Sequence, residues 1–438
     1  MEKGGLEYVI RGGQKLAGSV EIQGAKNAAM RHMVLPLLSP GKFEFRNVPN
    51  ISSCHNLAGI TESMGARVEW DAVGHIMRFD SSKVAPRVIT EDQFFHTSGA
   101  VYAVQVLVNR WGECEVENKS GRKDSGGDQL GRKLDTGLWE QLGVNIEFMS
   151  DKIRFTSSGK KAFVIDAKRF FGPSSAGVLA ALFREGVSEI VNPTEAAEFD
   201  DLVMAVRAMG AEITVTDGKI SVRGGLELRP ITWKVLPDRH DLVTWISAAL
   251  ATGSELEISN VDYEAMKLKG LTDLMKVMRA KIEFDEGKCR VKKSNLRPVK
   301  QVFYDFPLPA TEWQVLLSAV FTRIRGISEI VEGYFPDRMR HWNELGRMGA
   351  KFEYFSHPGY PESGDKPRAA RIYGPTELRG ALVEGRDVRS VAALIVAGLI
   401  AGGETRVVDK EDNLGRGYDD FVGRLKNIGG HIEVVKTK

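Results

Sequence analysis

A short pattern recurs six times along the 438 residues: a helix end, marked by glycine in five copies and by arginine in the fourth, then a strand of alternating residues. It reads Met64-Gly65-Ala66-Arg67-Val68, Leu142-Gly143-Val144-Asn145-Ile146 and Met209-Gly210-Ala211-Glu212-Ile213 in the first half. Met278-Arg279-Ala280-Lys281-Ile282, Met348-Gly349-Ala350-Lys351-Phe352 and Ile428-Gly429-Gly430-His431-Ile432 follow. A glycine just past a helix adopts the left-handed conformation at little cost, and the alternation after it describes a half-buried strand. Intervals of roughly 67 to 80 residues are too long for a solenoid and fit a unit of about two strands and two helices.

A second pattern runs in phase with the first. Apolar helices are expected over residues 28–38, 100–109, 176–183, 242–251, 313–322 and 391–400, each leading into a strand. The last has no polar face at all, and a helix apolar all round is a buried helix. Each unit therefore pairs one buried helix with one more polar helix, and six units make two α/β domains of three, with sheets and polar helices layered around a helical core. The 42% hydrophobic and 27% charged content is enough to build such cores in a soluble protein. The midpoint lies near Val235-Leu236-Pro237-Asp238-Arg239, where proline and charge interrupt the pattern, and residues 356–367 read as an exposed excursion.

The bulk properties exclude several classes. A formal net charge of +2 does not indicate a nucleic-acid binder or a protein that adheres to anionic membranes. Three scattered cysteines, Cys54, Cys114 and Cys289, form no CxxC pair, which argues against a disulfide framework or a zinc knuckle and fits a reducing compartment. The first residues lack the basic head and apolar run of a secretory leader, and the longest apolar run, residues 391–401, is too short to span a bilayer. A cytoplasmic protein is expected. The histidines show no ligand spacing, so no metal is expected.

Functional residues are sought where buried helices begin and carry charge that packing does not need. Gly24-Ala25-Lys26-Asn27 opens the first such helix, and a lysine beside unpaired N–H groups suits an anion; an ordinary strand–turn–helix with a solvated lysine has the same pattern. The loop of residues 120–133 is glycine-rich and basic, and reads either as a closure over a phosphate-bearing ligand or as a mobile surface loop. Leu236-Pro237-Asp238-Arg239-His240-Asp241 precedes the fourth buried helix, and Glu312 opens the fifth, where a carboxylate also serves as a plain cap. Arginine stands beside aspartate in Tyr334-Phe335-Pro336-Asp337-Arg338, Arg386-Asp387-Val388-Arg389 and Leu414-Gly415-Arg416-Gly417-Tyr418-Asp419. Single pairs of this kind are worth little, but arginines repeated at equivalent edges suggest an assembled anion site. Neither a Walker A motif nor GxGxxG is present.

On these motifs, in this order and across essentially the whole chain, the sequence resembles the enolpyruvyl transferase family. Gly24-Ala25-Lys26-Asn27-Ala28-Ala29 is similar to the N-terminal signature of the branch acting on UDP-N-acetylglucosamine, where the shikimate branch has a Gly-Ser-Lys-Ser type. Leu236-Pro237-Asp238-Arg239, Arg338, Asp387-Val388-Arg389 and Arg416-Gly417-Tyr418 fall where that branch has its other motifs. The resemblance implies a two-domain inside-out α/β barrel of six βαβαββ-type repeats, three per domain. Its domains would be residues 24–237, with a catalytic loop at about 120–133, and residues 1–23 plus 238–438, so that the chain crosses twice between them.

It further implies transfer of the enolpyruvyl group of phosphoenolpyruvate to the 3′-hydroxyl of UDP-N-acetylglucosamine by addition–elimination, releasing phosphate, with no cofactor. This is the first committed step of peptidoglycan precursor synthesis. By the same resemblance Lys26, Arg132 and Arg416 are phosphate-side cations, and Arg338 and Arg389 serve the carboxylate or hinge side. Asn27 touches the acceptor, Asp135 and Phe335 lie on the substrate-binding side, and Asp128 and Glu312 join Lys26 and Arg416 as catalytic residues. Closure on ligand would complete the cationic cage. The chain departs from the family at three points. Asp128 stands where a cysteine is usual, Glu312 where an aspartate is usual, and Thr97-Ser98-Gly99 where an arginine is usual; the uracil-side stretch Asp135-Thr136-Gly137 is also altered. A protonated Asp128 can donate the required proton if burial raises its pKa. These departures leave open a different nucleotide or sugar acceptor and a non-catalytic relative that binds a nucleotide-sugar.

Overall fold

The computed structural model describes residues 5–121, 134–362, 364 and 366–437. The chain divides into two compact units, Gly24–Leu236 on one side and Met1–Gln23 with Pro237–Lys438 on the other.

The repeat is cleanest at the end of the first unit. Strand Val164–Asp166 leads through the buried helix Phe171–Ala181 to strand Val187–Val191, which lies parallel to it. The polar helix Ala197–Ala208 follows, then the hairpin of Glu212–Thr216 and Lys219–Arg223, whose second arm pairs antiparallel with Val187–Val191. A parallel connection needs a crossover, and the buried helix supplies it. Five sheets of this four-stranded kind and one of three strands are present among the described residues. In the three-stranded sheet the parallel edge strand shrinks to one bridge, Ile89 with Val116.

Two strands join sheets remote in sequence. Ser19–Glu21 runs parallel to Leu256–Ser259, while Thr232–Lys234 runs parallel to Lys42–Arg46 in the other unit. Leu6–Arg11 inserts between Glu404–Asp409 and Ile432–Lys436, antiparallel to both. The opening residues thus complete two sheets built from the second half of the chain.

Within each unit the apolar helices lie inside. All fourteen residues of Arg239–Thr252 are buried, as are Arg389 to Leu399 of Val388–Ile400, and these two helices pack against each other and against Thr311–Leu316. Hydroxyls on buried helices are satisfied locally: Thr244 Oγ1 donates to the His240 carbonyl at 2.9 Å and Thr252 Oγ1 to the Ala248 carbonyl at 2.7 Å. Five polar helices end at glycines with φ between +70° and +108°, and the sixth ends at Arg279 with φ +57°.

Three buried helices differ from the sequence expectation. The first begins at Lys26 and stops at His32, and the chain resumes as a 3-10 turn, Leu35–Leu37, because Pro36 has no N–H to continue an α-helix. The third begins five residues earlier than expected, at Phe171, with Pro173 tolerated in its first turn. The fifth is split at Leu317 into Thr311–Leu316 and Ser318–Arg323. Among the described residues, no helix is long and apolar enough to cross a membrane.

Candidate active site

In the unit containing Pro237–Lys438, charged side chains cluster at the starts of the buried helices. Asp238 caps Arg239–Thr252, its Oδ1 accepting from the N–H groups of His240 at 2.8 Å and Asp241 at 3.2 Å. Asp387 caps Val388–Ile400 in the same way, at 2.8 Å from Arg389 N and 3.0 Å from Ser390 N. Such caps spend their carboxylates on the helix ends and fix the residues that follow.

Glu312 sits in the first turn of Thr311–Leu316, and Arg338 Nη2 donates to its Oε1 at 3.1 Å. Burial alone would push Glu312 towards its neutral form, but Arg338, His240 and Arg389 outweigh it and hold the carboxyl well below the usual carboxylate range. Arg389 is buried, and its guanidinium carbon lies 5.3 Å from the centre of the Tyr418 ring. Burial would disfavour its charge, yet Tyr418, Asp238 and Glu312 raise its pKa above the ordinary value. Tyr418 is fixed by a 2.7 Å hydrogen bond between its hydroxyl and Thr244 Oγ1. Among the described residues, Arg338 and Arg389 each keep a buried Nη1 with no hydrogen-bond acceptor. A buried cationic donor without an acceptor is costly, and two of them beside one carboxylate make a site ready for an anion.

Arg338 follows Phe335, whose ring centre lies 4.8 Å from the guanidinium carbon. Both are placed by Glu332, a fully buried carboxylate with no local signal that singles it out. It accepts from Tyr334 N and Phe335 N at 2.9 Å each, from Gln314 Nε2 at 3.2 Å and from the Thr311 hydroxyl. One side chain therefore ties the turn that presents Arg338 to the helix start that presents Glu312.

Arg416 lies on a turn anchored by buried Asp409, which accepts from Asn413 N at 2.8 Å and Leu414 N at 2.9 Å. Its guanidinium donates to Asn413 Oδ1 at 3.3 Å and is 3.7 Å from Glu411. Beyond it, Gln23 grips the next residues as a strand would. Its Nε2 donates to the Gly417 carbonyl at 2.9 Å and its Oε1 accepts from Asp419 N at 2.6 Å. The Gln23 main chain donates in turn to Asp241, which also accepts from Arg424 Nη1 at 2.6 Å.

In the unit Gly24–Leu236, Lys26 and Asn27 form the half-buried first turn of Lys26–His32. The turn before it requires glycine: a Cβ at Gly24 would lie 1.7 Å from the Asn47 carbonyl oxygen. Ala25 N donates to the Leu236 carbonyl at 2.6 Å, which closes the turn. Asp135 is exposed and caps the helix Thr136–Gln141 through Leu138 N at 3.1 Å. Asp128 and Arg132 lie outside the described residues. Where the resemblance leads one to expect an arginine, Thr97 is buried and a Cβ at Gly99 would lie 2.7 Å from Leu57 Cδ1, so the segment is packed against the core. Among the described residues, no group of three or more His, Cys, Asp or Glu side chains could hold a metal ion.

Residues 10–425 match the family model described as EPSP synthase (3-phosphoshikimate 1-carboxyvinyltransferase). The chain belongs to the EPSP synthase family. Similar members include the UDP-N-acetylglucosamine 1-carboxyvinyltransferase of Wolbachia pipientis wMel, 28% identical over 98% of this chain and 99% of the relative. UDP-N-acetylglucosamine 1-carboxyvinyltransferase 2 of Carboxydothermus hydrogenoformans is 30% identical over the same shares. Among solved structures, the enolpyruvyl transferase NikO from Streptomyces tendae superposes with a TM-score of 0.86 at 20% identity, covering 99% of this chain and 100% of that one. EPSP synthase from Acinetobacter baumannii gives 0.72 at 16% identity over the same shares. At these identities the two structures establish the EPSP synthase fold, with its six small sheets, for this chain.

Proposed function

We propose that this enzyme transfers the enolpyruvyl group of phosphoenolpyruvate to the 3′-hydroxyl of UDP-N-acetylglucosamine and releases phosphate, in the cytoplasm. The observation that carries the reading is Glu312 among Arg338, Arg389 and His240, with two buried guanidinium N–H groups left without acceptors among the described residues. The full-length similarity to enzymes named for that acceptor supports it.

The reaction protonates the methylene carbon of phosphoenolpyruvate while the acceptor hydroxyl attacks the neighbouring carbon. Loss of a methyl proton then expels phosphate and restores the double bond. Arg338 and Arg389 suit the carboxylate, whose oxygens would satisfy their open donors. Lys26, Arg132 and Arg416 are assigned to the phosphate, Asn27, Asp135 and Phe335 to substrate binding, and Asp128 to proton donation. Glu312 is assigned to the acceptor hydroxyl. Its cations suppress its basicity while no anion is bound. A carboxylate arriving on Arg338 and Arg389 would neutralise part of their field and raise the Glu312 pKa, so that it becomes a base only once the substrate is in place.

A second reading, transfer to another nucleotide or sugar acceptor, is favoured by the packed Thr97-Ser98-Gly99 segment, which offers no cation where the family usually has an arginine. Phosphate release from phosphoenolpyruvate, measured with UDP-N-acetylglucosamine and a panel of other acceptors, separates the two. Turnover with UDP-N-acetylglucosamine that is abolished by Asp128→Ala supports the first, and turnover with a different acceptor alone replaces it. Ligand binding without any release identifies a non-catalytic relative.

A further inference from the structure

Within Gly24–Leu236, Arg31 is 4% exposed. Its guanidinium donates to the Asn27 carbonyl at 2.5 Å, to the Tyr102 hydroxyl at 2.7 Å and to Ser175 Oγ at 2.9 Å. Its flat face is covered by the Phe171 ring, 3.7 Å away, and by Tyr102 at 4.6 Å. All three acceptors are neutral, and among the described residues no carboxylate lies within ion-pair distance; Glu198 acts on it only through space. Burial therefore lowers the Arg31 pKa from its ordinary value.

Another buried arginine of this unit is housed differently. Arg184 donates to the Leu142 carbonyl and to Asn109 Oδ1, at the ends of two helices where partial negative charge collects. Arg31 instead bonds to residues in the opening turns of three helices, Asn27 of Lys26–His32, Tyr102 of Ala100–Trp111 and Ser175 of Phe171–Ala181, where the local partial charge is positive. None of these helices has an acidic residue in its first turn or a side-chain cap. A buried cation placed among positive helix ends is unfavourable unless a negative charge arrives to balance it.

We infer that Arg31 is a positioning residue for an anionic substrate: its fixed charge, bonded to the Asn27 carbonyl, orders the turn that presents Lys26 and Asn27 and is balanced when the anion binds. This rests on Lys26 and Asn27 meeting substrate. Arg31 reaches the substrate through that turn and through its field, so its loss weakens binding more than turnover.

The test compares Arg31→Met, Arg31→Gln and Arg31→Lys with wild type in phosphate release, with thermal midpoints measured in the absence and presence of phosphoenolpyruvate. The expected result is a KM for phosphoenolpyruvate or the acceptor at least tenfold higher in R31M and R31Q, with kcat within threefold. R31K should return KM to within threefold of wild type. The ligand-free midpoint of R31M should equal or exceed that of wild type, since an unbalanced charge has gone, while its shift on adding phosphoenolpyruvate disappears. Should R31M not fold, R31Q against R31K decides the matter. Unchanged KM in R31Q, or equal loss in R31Q and R31K, overturns the inference. Wild type that releases no phosphate with any acceptor defeats the proposed function instead, and the phosphoenolpyruvate-induced midpoint shifts still decide the role of Arg31.

Discussion

Replacing Glu332 should separate two things that its carboxylate does. It is buried, it accepts four hydrogen bonds, and two of the donors are the main-chain N–H groups of Tyr334 and Phe335, which cannot turn elsewhere. Glu332→Leu leaves those two unpaired, together with the Thr311 hydroxyl and the Gln314 amide. At about 1–3 kcal/mol for each stranded donor, and with the two side chains free to rotate, the loss is about 3–5 kcal/mol. Glu332→Gln is far milder. Its carbonyl can keep the bonds at Oε1, and its new amide faces Gln314, whose buried Oε1 has no partner among the described residues and becomes an acceptor once that side chain flips. The cost is about 1 kcal/mol, for the charge-assisted part of the bonds. Function divides the same way. E332Q removes a negative charge that acts on Arg338, so the KM for phosphoenolpyruvate should stay level or fall. E332L releases the turn holding Arg338, and kcat/KM should drop about a hundredfold, an order of magnitude consistent with a misplacement of about 1 Å. Urea denaturation and phosphate release read both. A denaturation midpoint unchanged in E332L, or equal damage in the two variants, would refute the idea that this carboxylate organises the site.

Other outcomes follow from single features. Arg279 occupies the left-handed position that glycine fills in the other five repeats, so Arg279→Gly should stabilise the protein by about 0.5–1 kcal/mol in urea denaturation, and a loss would show that the arginine side chain has compensating contacts. Burial pushes Asp201 up to about 7 and its neighbour His32, 3.4 Å away, down to about 3, so the contact joins a neutral acid and a neutral imidazole. A raised carboxyl pKa means that the folded state binds more protons than the unfolded one, so this group's contribution is present at low pH and is lost as pH rises from about 4 towards 7, by at most about 1.4 kcal/mol per pH unit. Asp201→Asn should therefore gain stability relative to wild type across that window, and a gap independent of pH would count against it. If Asp128 is the proton donor, its carboxylate is a poor nucleophile towards an epoxide, and fosfomycin should leave activity intact; time-dependent covalent loss would contradict that assignment.

The fold was legible because its signals are local and repeated. A glycine past a helix and a helix without a polar face mean the same thing wherever they stand, and six copies in phase leave little freedom. Where the reading missed, one residue overrode the local pattern. Pro36 ended the first α-helix within the largely apolar stretch of residues 28–38. The joining of Ser19–Glu21 to Leu256–Ser259 has no local signature, because pairing across more than two hundred residues leaves no trace in either strand.

The candidate site was legible only in part, and the division follows whether a residue's role is visible in its local sequence. Lys26, Glu312 and Arg389 stood out because charge at the start of an apolar helix is conspicuous in a sequence, and Arg338 and Arg416 because arginines beside aspartate recur at the edges of the repeats. Their supports did not: Glu332, Gln23 and Arg31 read as ordinary polar residues until tertiary structure supplies their partners. Gln23 shows why. Its amide spans Gly417 and Asp419, nearly four hundred residues away, and fixes both sides of the segment that follows Arg416. A side chain that works by satisfying distant main-chain groups has a meaning set entirely by what folding places against it. Buried polar residues that the local pattern does not need are thus where this site's geometry is decided, and they are the positions at which substitution should alter binding without touching a ligand.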